Sequence, residues 1–129
     1  MATREWSCMC GNFKGEVTGE PNLAVWCHCE QCRQQTGAPM ELGIFEKLEA
    51  KSGDDDLISY EHTEGSGVQR KSCKKCGSFC YKLIGDTKVA PLGSLSGEAI
   101  KPTCNIFVAD KGSHAVMAPD LPQHDGFPA

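Results

Sequence analysis

Aromatic residues and long apolar runs are scarce in this chain of 129 residues. Phe, Trp and Tyr supply 7% of the sequence while glycine supplies 14 residues, so we expect a modest hydrophobic core that needs further cross-links. No segment approaches the ~20 apolar residues of a membrane-spanning helix, and the first six residues lack the apolar stretch of a signal peptide. The composition therefore predicts a single cytoplasmic domain, residues 1–129, with no membrane as a partner.

An excess of positive charge is also missing. The 13 Lys and Arg residues are outnumbered by 17 Asp and Glu residues, which gives a net charge of −4. Proteins that bind nucleic acid or anionic membranes present a basic surface. We therefore expect no nucleic acid as a partner.

Cysteine, in contrast, is abundant, with nine residues. In a reducing compartment, closely spaced cysteines are more often metal ligands than disulfide partners. The odd number also argues against a complete set of disulfides within the chain. We therefore interpret most of the cysteines as zinc ligands.

Three of the cysteines lie within six residues, in the segment CHCEQC at 27–32. In an extended chain, residues i and i+2 point the same way and lie roughly 6.5 Å apart, so Cys27 and Cys29 can aim both thiols at one point. The two residues after Cys29 allow a tight turn that returns the thiol of Cys32 to that point. Because zinc takes four ligands, three cysteines leave a fourth place for water or substrate. We interpret this triad (Cys27, Cys29 and Cys32) as an open zinc site.

Four further cysteines form two pairs, Cys8 with Cys10 and Cys73 with Cys76. Together they would form a closed shell of four sulfurs, which is typical of structural zinc. In the alternative pairing, Cys73 and Cys76 join the triad, and the two N-terminal cysteines have no partners. We favour the first pairing, since the alternative leaves a less complete set of ligands. It predicts two Zn²⁺ per chain, one in a closed structural site and one in the open site of the triad.

Short apolar runs separated by glycine turns indicate a mainly β fold. A short helix is expected over residues 30–35, ended by Gly37 and Pro39. Gly77, which follows the CKKC motif, is expected to adopt a positive φ. The tail, residues 101–129, contains four prolines and is expected to pack irregularly over the sheets. Strands are predicted from the apolar patterns at 12–18, 23–27, 40–48, 57–61, 68–72, 79–84 and 89–95.

The order of the cysteine motifs resembles that of a known family. The motifs are C-x-C-G at 8–11, C-H-C-x-x-C-R at 27–33 and C-x-x-C-G at 73–77. They are similar to those of the glutathione-dependent formaldehyde-activating enzyme (GFA) family, whose domain is also called CENP-V/GFA. The resemblance extends into residues 101–103 and 106–111, although many relatives have His in place of Asn105 and Trp in place of His114. It implies an Mss4-like fold of short antiparallel sheets built around zinc sites, with structural zinc on Cys8, Cys10, Cys73 and Cys76 and catalytic zinc on the triad.

The resemblance also implies carbon–sulfur lyase activity on a glutathione–aldehyde adduct such as S-hydroxymethylglutathione. This chemistry suits the triad, because a zinc ion with an open position lowers the pKa of a bound thiol. Arg33, directly after the triad, is a candidate partner for a glutathione carboxylate, with a solvated arginine as the alternative. Two other functions stay open: a non-catalytic zinc-binding scaffold, and a redox-sensitive module whose triad oxidises and releases zinc.

Several other polar residues receive structural interpretations. His28 alternates away from the triad sulfurs and is interpreted as a packing residue that supports the ligands. Cys80 and Cys104 are expected to be buried as small hydrophobic residues, and His114 and His124 to lie at the surface. The run of three aspartates at 54–56 lacks the spacing of a calcium-binding EF-hand loop, so we expect no calcium there.

Overall fold

The computed structural model describes residues 2–115 and 117–128. These residues form ten strands, one α-helix and three 3₁₀ turns, at 54–56, 92–94 and 108–110. The mainly β fold expected from the sequence is confirmed. The bounds are β1 Thr3–Ser7, β2 Lys14–Thr18, β3 Leu23–Cys27, α1 Glu30–Thr36, β4 Met40–Phe45, β5 Lys47–Ser52, β6 Leu57–Tyr60, β7 Val68–Cys73, β8 Phe79–Ile84, β9 Thr87–Pro91 and β10 Cys104–Ile106.

The described strands form two sheets. A three-stranded sheet has the order β1-β2-β5, and a seven-stranded sheet has the order β10-β3-β4-β9-β8-β7-β6. All neighbours are antiparallel except β10, which pairs parallel to β3. None of the helices in the described part of the chain is long and apolar enough to cross a membrane.

The hydrophobic core lies between the two sheets. Trp6, Phe13 and Val17 of the smaller sheet and its turn pack against Phe45 and Tyr81 of the larger one. The indole Nε1 of Trp6 donates to the backbone carbonyl of Cys80 at 2.8 Å, so a buried polar group also joins the sheets. We call the side of the seven-stranded sheet that faces this core its inner face.

The opposite, outer face of the seven-stranded sheet carries a second group of buried residues. On β3, the alternate residues Leu23, Val25 and Cys27 point to this face, and in the antiparallel register they lie opposite Ile44, Leu42 and Met40 of β4. The helix α1 and parts of the tail cover this face, since residues of both join the outer-face strands around one cavity. The smaller sheet therefore covers the inner face of the larger sheet, whereas α1 and the tail cover its outer face.

Several parts of the fold differ from the sequence-based expectation. The strand predicted at 89–95 begins earlier and ends at Pro91, where a 3₁₀ turn at 92–94 follows. The segment at 40–48 is not one strand but two, since β4 belongs to the larger sheet and β5 to the smaller one. Glu46 separates the two strands, which explains why the alternation in this segment is imperfect. The strands β1 and β10 were not predicted, and β10 gives order to part of the tail that we expected to be irregular.

Candidate metal and substrate site

The N-terminal cysteine pair and the cysteine pair of the CKKC motif lie together in the structure. We call these four residues the tetrad (Cys8, Cys10, Cys73 and Cys76). Their sulfur atoms all lie within 4.8 Å of one another. The Sγ atom of Cys10 lies 3.6 Å from that of Cys8 and 3.7 Å from that of Cys73. A zinc tetrahedron with Zn–S bonds of about 2.3 Å has edges of about 3.8 Å. The tetrad therefore fits a closed tetrahedral site.

Two tight turns position the tetrad. In the first, between β1 and β2, Gly11 N donates to the carbonyl of Cys8, and Phe13 N donates to the Cys8 sulfur at 3.3 Å. In the second, between β7 and β8, Gly77 N donates to the carbonyl of Cys73. The φ of Gly77 is +78°, as predicted, in a region that side chains with Cβ rarely adopt. The tetrad thus ties one sheet to the other.

The three sulfurs of the triad also lie within 4.8 Å of one another. Cys27 is the last residue of β3, Cys29 caps the N-terminus of α1, and Cys32 lies in the first turn of that helix. The Cys32 sulfur lies 3.0 Å from that of Cys29 and 3.5 Å from that of Cys27. These distances need to widen by less than about 1 Å to match a zinc tetrahedron. The donor set fits zinc, and three ligands leave one coordination place free.

The triad is stabilised by hydrogen bonds and by a buried cation. Cys32 N donates to the Cys29 sulfur at 3.3 Å, and the Nη2 atom of Arg70 lies 3.6 Å from the Cys32 sulfur and 3.9 Å from the Cys29 sulfur. Hydrogen bonding with Cys27 and Cys32 lowers the pKa of Cys29, whereas hydrogen bonding with Cys29 and Cys32 raises the pKa of Cys27. Three thiolates and one Zn²⁺ carry a net charge of −1, which the guanidinium of Arg70 would neutralise.

A cavity of about 320 Å³ opens beside the triad. This volume lies at the lower end of the range for small-molecule sites. Two of the triad cysteines, Cys27 and Cys29, line the cavity, while Cys32 is fully buried behind them. The remaining lining residues are Leu23, Val25, Glu30, Gln31, Leu42, Ile44, Val68, Arg70, Lys82, Ile84, Val89, Ile106, Phe107, Asp110 and Phe127.

The sequence analysis missed the two cations of this cavity. Arg70 on β7 and Lys82 on β8 are each 6% exposed, and the two residues lie opposite each other in the antiparallel register. Arg70 also donates to the Oε1 atom of Gln35 in α1 at 2.8 Å. For Lys82, the described residues show no side-chain hydrogen bond or ion pair. Arg70 stands three residues before Cys73 and Lys82 six residues after Cys76, beside the ligands of the tetrad, yet both side chains line the cavity of the triad. Only the strand pairing reveals this placement.

Arg33 lies outside the lining of the cavity. Its Nη2 atom donates to the backbone carbonyl of Asp110 at 2.6 Å, which holds the 3₁₀ turn at 108–110 against α1. The carboxylate of Asp110 belongs to the cavity wall. The role of Arg33 as a partner of a glutathione carboxylate stays a prediction.

His28 is 1% exposed and is not a member of either sulfur cluster. Its Nε2 atom lies 3.3 Å from the Oδ1 atom of Asn105 on β10. Because Asn105 already donates from Nδ2 to the carbonyl of Ala118, its Oδ1 atom is the acceptor, and His28 donates from Nε2. The backbone N of His28 also donates to the carbonyl of Ile106. The tail therefore supports the triad loop directly.

The other cysteines and histidines lie away from the cavity. Cys80 and Cys104 are both buried, and burial raises the pKa of Cys80 to about 12. His114 is exposed, and His124 is partly exposed. None of these four side chains lines the cavity.

Comparisons with known proteins point to one family. A family model described as "Glutathione-dependent formaldehyde-activating enzyme" matches residues 3–110. A curated protein of Podospora anserina that carries the name of this enzyme family is 30% identical over 82 residues, which cover 60% of this chain and 38% of that protein. The alignment thus spans well under half of the relative's length. A crystal structure of a Rhodobacter sphaeroides protein matches with a TM-score of 0.59 and 21% identity, covering 73% of this chain and 89% of that one. This last similarity concerns the fold alone.

Proposed function

This chain belongs to the glutathione-dependent formaldehyde-activating enzyme family, and on that basis we propose that it is a zinc-dependent carbon–sulfur lyase. The proposed substrate is a glutathione–aldehyde adduct such as S-hydroxymethylglutathione, which forms from glutathione and formaldehyde in the reverse direction. The observation that supports this most directly is the incomplete sulfur shell of Cys27, Cys29 and Cys32 at the wall of a cavity. A closed structural site would not need such a cavity.

Zinc held by the triad would supply a Lewis acid with one place for a soft sulfur ligand. The surroundings of the triad favour negative charge on a substrate sulfur. Arg70 offsets the charge of the ligands through its contacts with the Cys29 and Cys32 sulfurs. Lys82 adds a second cation to the cavity wall. Both cations are almost fully buried, so little solvent screens their effect on a bound anion.

Cleavage of the adduct releases a thiolate, an aldehyde and a proton. As the carbon–sulfur bond breaks, its electron pair stays on sulfur. The electron pair of the hydroxyl O–H bond becomes the second bond of the new C=O group, and the hydroxyl proton is released. We assign the released proton to the carboxylate of Glu30, because Glu30 follows Cys29 directly and lines the cavity. In the reverse direction, Glu30 returns this proton to the oxygen as the thiolate attacks the aldehyde carbon.

Lys82 is the proposed partner for a carboxylate of glutathione. Its side chain lines the cavity, its positive charge helps to lower the pKa of Cys29, and in the described residues it forms no ion pair with a carboxylate. An ammonium group at the wall of a cavity can donate charge-assisted hydrogen bonds to a carboxylate of a ligand. Glutathione carries two carboxylates, so one of them can pair with Lys82 while its sulfur lies at the triad.

The test of the proposed function is zinc per chain, measured by elemental analysis on the wild type and on Cys29→Ser, with glutathione titrated into both. We expect about two zinc ions in the wild type and one in the variant, together with loss of glutathione binding and of adduct cleavage. Serine is a strong N-cap residue, so α1 and the fold should persist. Cys104→Ala removes a buried cysteine outside both clusters and should keep both ions. One zinc ion in the wild type and in Cys29→Ser would favour the non-catalytic scaffold instead.

A further inference from the structure

Most of the cavity wall is apolar, which is unexpected for a site that takes only a polar tripeptide and a one-carbon aldehyde. Among its lining residues, the charged or polar side chains other than cysteine are Glu30, Gln31, Arg70, Lys82 and Asp110. Ten aliphatic or aromatic side chains supply most of the remainder: Leu23, Val25, Leu42, Ile44, Val68, Ile84, Val89, Ile106, Phe107 and Phe127.

The apolar residues form a continuous floor that begins at the triad. On β3, the outer-face residues run from Cys27 through Val25 to Leu23, a distance of about 13 Å at the usual rise of a strand. Ile44 of β4 lies opposite Leu23, and Val89 of β9 lies opposite Ile44. Three adjacent strands therefore extend an aliphatic surface away from the sulfurs.

Two aromatic rings of the tail complete the wall. Phe107 and Phe127 pack edge to face, with ring centroids 4.9 Å apart. The backbone of Phe107 has a φ of +53°, which is uncommon for a bulky residue and carries a conformational cost. Phe107 N donates to the carbonyl of Gly126, which fixes the two segments together. The chain thus holds an unfavourable backbone conformation at a residue whose ring adds apolar surface to the cavity.

A hydroxymethyl group offers a single carbon atom to this surface. The glutathione part of an adduct is charged and hydrogen-bonding, and it suits Arg70 and Lys82 better than the aliphatic floor. An apolar surface that stays in contact with water contributes nothing to binding, whereas an alkyl chain laid on it gains the free energy of burial. The floor therefore matches the part of the adduct that comes from the aldehyde.

We propose that the aldehyde-derived carbon of the substrate carries an aliphatic chain of several carbons, so that the site takes thiol adducts of apolar aldehydes in preference to the formaldehyde adduct. This inference rests on the proposed lyase function and specifies its substrate class. The reaction balances as before: the adduct R–CH(OH)–SG gives the aldehyde R–CHO, the glutathione thiolate and a proton. The chain R lies along Val25, Leu23, Ile44 and Val89, with the sulfur at the triad.

The first experiment measures binding without turnover. S-Hexylglutathione and S-methylglutathione are stable thioethers that differ only in chain length, and calorimetry on the zinc-loaded protein gives the Kd of each. Burial of one methylene group is worth about a fourfold change in Kd, so five added methylenes give up to about a thousandfold. Because part of the chain can remain exposed, we expect S-hexylglutathione to bind at least about thirtyfold more tightly. Equal Kd values would overturn the inference.

A variant at the far end of the floor tests the location of the chain. Leu23→Asn places an amide where the chain is expected to end, and Leu23 is only partly buried, so the fold should tolerate the change. A hexyl chain extends only about 8 Å from the sulfur, whereas a decyl chain extends about 13 Å and reaches Leu23. We therefore expect the affinity for S-decylglutathione to fall about tenfold or more and that for S-methylglutathione to stay unchanged. Ile58→Asn, at an exposed apolar residue of β6 outside this cavity, is the matched control and should change neither. An equal loss for both ligands in Leu23→Asn would contradict the assignment.

Catalysis separates the two proposals. The rate of adduct cleavage is measured for glutathione adducts of formaldehyde, propanal and hexanal on the same zinc-loaded protein. We expect kcat/KM to be lowest for the formaldehyde adduct, higher for the propanal adduct and highest for the hexanal adduct. Faster cleavage of the formaldehyde adduct would overturn the inference on chain length and leave the lyase function intact. Absence of cleavage with every aldehyde would refute the lyase function, and with it the substrate class.

Discussion

The tetrad and the triad offer the same ligand atom, a cysteine sulfur, in two different settings. The tetrad lies between a turn of the three-stranded sheet and a turn of the seven-stranded sheet, and its four sulfurs complete a tetrahedron. The triad lies within one short stretch of chain, beside a cavity on the outer face of the larger sheet. A ligand set drawn from distant segments stabilises the fold, whereas a local set can leave a coordination place open because the fold does not depend on it.

The two clusters also differ in how their negative charge is compensated. At the triad, a buried guanidinium contacts two sulfurs, and a buried ammonium lines the same cavity. At the tetrad, the cations near the sulfurs are Lys74 and Lys75 of the second turn, which are exposed. Hydrogen bonding from Ser78 also lowers the pKa of Cys76 to about 5. Solvent can therefore stabilise much of the charge at the tetrad, but at the triad the chain itself must supply the compensation.

Of the changes that test this difference between the two clusters, removal of one tetrad ligand should have the largest effect, a loss of stability. In Cys73→Ser the closed shell is lost, and with it a binding free energy on the order of 10 kcal/mol that contributes to folding. Because whole domains are stable by only about 5–15 kcal/mol, we expect the variant to lose its cooperative thermal unfolding transition. The measurement is circular dichroism against temperature, with zinc analysis of the same sample.

The matched control for this experiment is Cys104→Ala, which also truncates a buried cysteine but belongs to neither sulfur cluster. A small core truncation of this kind should cost about 1 kcal/mol and leave both zinc ions bound. If Cys73→Ser still unfolds cooperatively at a temperature close to that of the control, the tetrad is not a structural site. The contrast between the two clusters would then have to be abandoned.

Replacement of Arg70 should give the next largest effect, a lower affinity for zinc. This effect should be confined to the zinc ion of the triad. Arg70→Met keeps an unbranched side chain in the same space but removes the donor to the Cys29 and Cys32 sulfurs. Loss of such supporting contacts typically lowers metal affinity 10- to 100-fold. Competition with a chromogenic chelator should therefore release one zinc ion at a lower chelator concentration, with the second unchanged.

Arg33→Met serves as the control for Arg70→Met, because Arg33 carries the same charge but hydrogen-bonds to the carbonyl of Asp110. In Arg33→Met we expect both zinc ions to be released at the same chelator concentrations as in the wild type. If both zinc ions were bound more weakly in Arg70→Met, the arginine would support the whole fold and not the triad alone. An unchanged release curve would mean that its contact with the sulfurs contributes nothing to metal binding.

The sequence was sufficient to predict the strand β3 and the helix α1, because a short apolar run and the helix-terminating residues Gly37 and Pro39 give strong local signals. The partition of seven cysteines into two groups also followed from spacing, and the structure brings the same residues together. Both results depend on residues that are close in sequence or belong to recognisable motifs.

The sequence could not predict the buried cations or the two unexpected strands. Arg70 stands in the polar segment VQRKS, where nothing distinguishes it from a solvated residue. Its burial depends on the cover that α1 provides, and the contact of Arg70 with Gln35 joins residues that are 35 positions apart in sequence. The short strand β10 pairs parallel to β3 across more than 70 residues, so no local pattern indicates its partner.

The smallest expected effect concerns Asp56, which supports the tetrad from the surface. Its carboxylate accepts from Asn12 Nδ2 at 2.9 Å and lies 3.0 Å from Lys74 Nζ, so it joins the two turns that hold the tetrad. The hydrogen bond from Asn12, together with Lys74, holds the pKa of Asp56 below its ordinary value. A depressed pKa means that the contribution to stability is present above the ordinary aspartate pKa of about 3.9 and disappears as the pH falls through the folded-state value.

Asp56→Asn should therefore lower the unfolding temperature slightly at neutral pH, and the difference from the wild type should shrink as the solution is acidified below about pH 4. Asp55→Asn changes the same charge at an exposed neighbour that makes no hydrogen bond in the described residues, so it separates the bridging contact from the overall charge. Because exposed ion pairs contribute little, this effect should be far smaller than those of Cys73→Ser and Arg70→Met. A loss in Asp56→Asn that matched the loss in Asp55→Asn at every pH would show that the tetrad needs no support beyond its own sulfurs and turns.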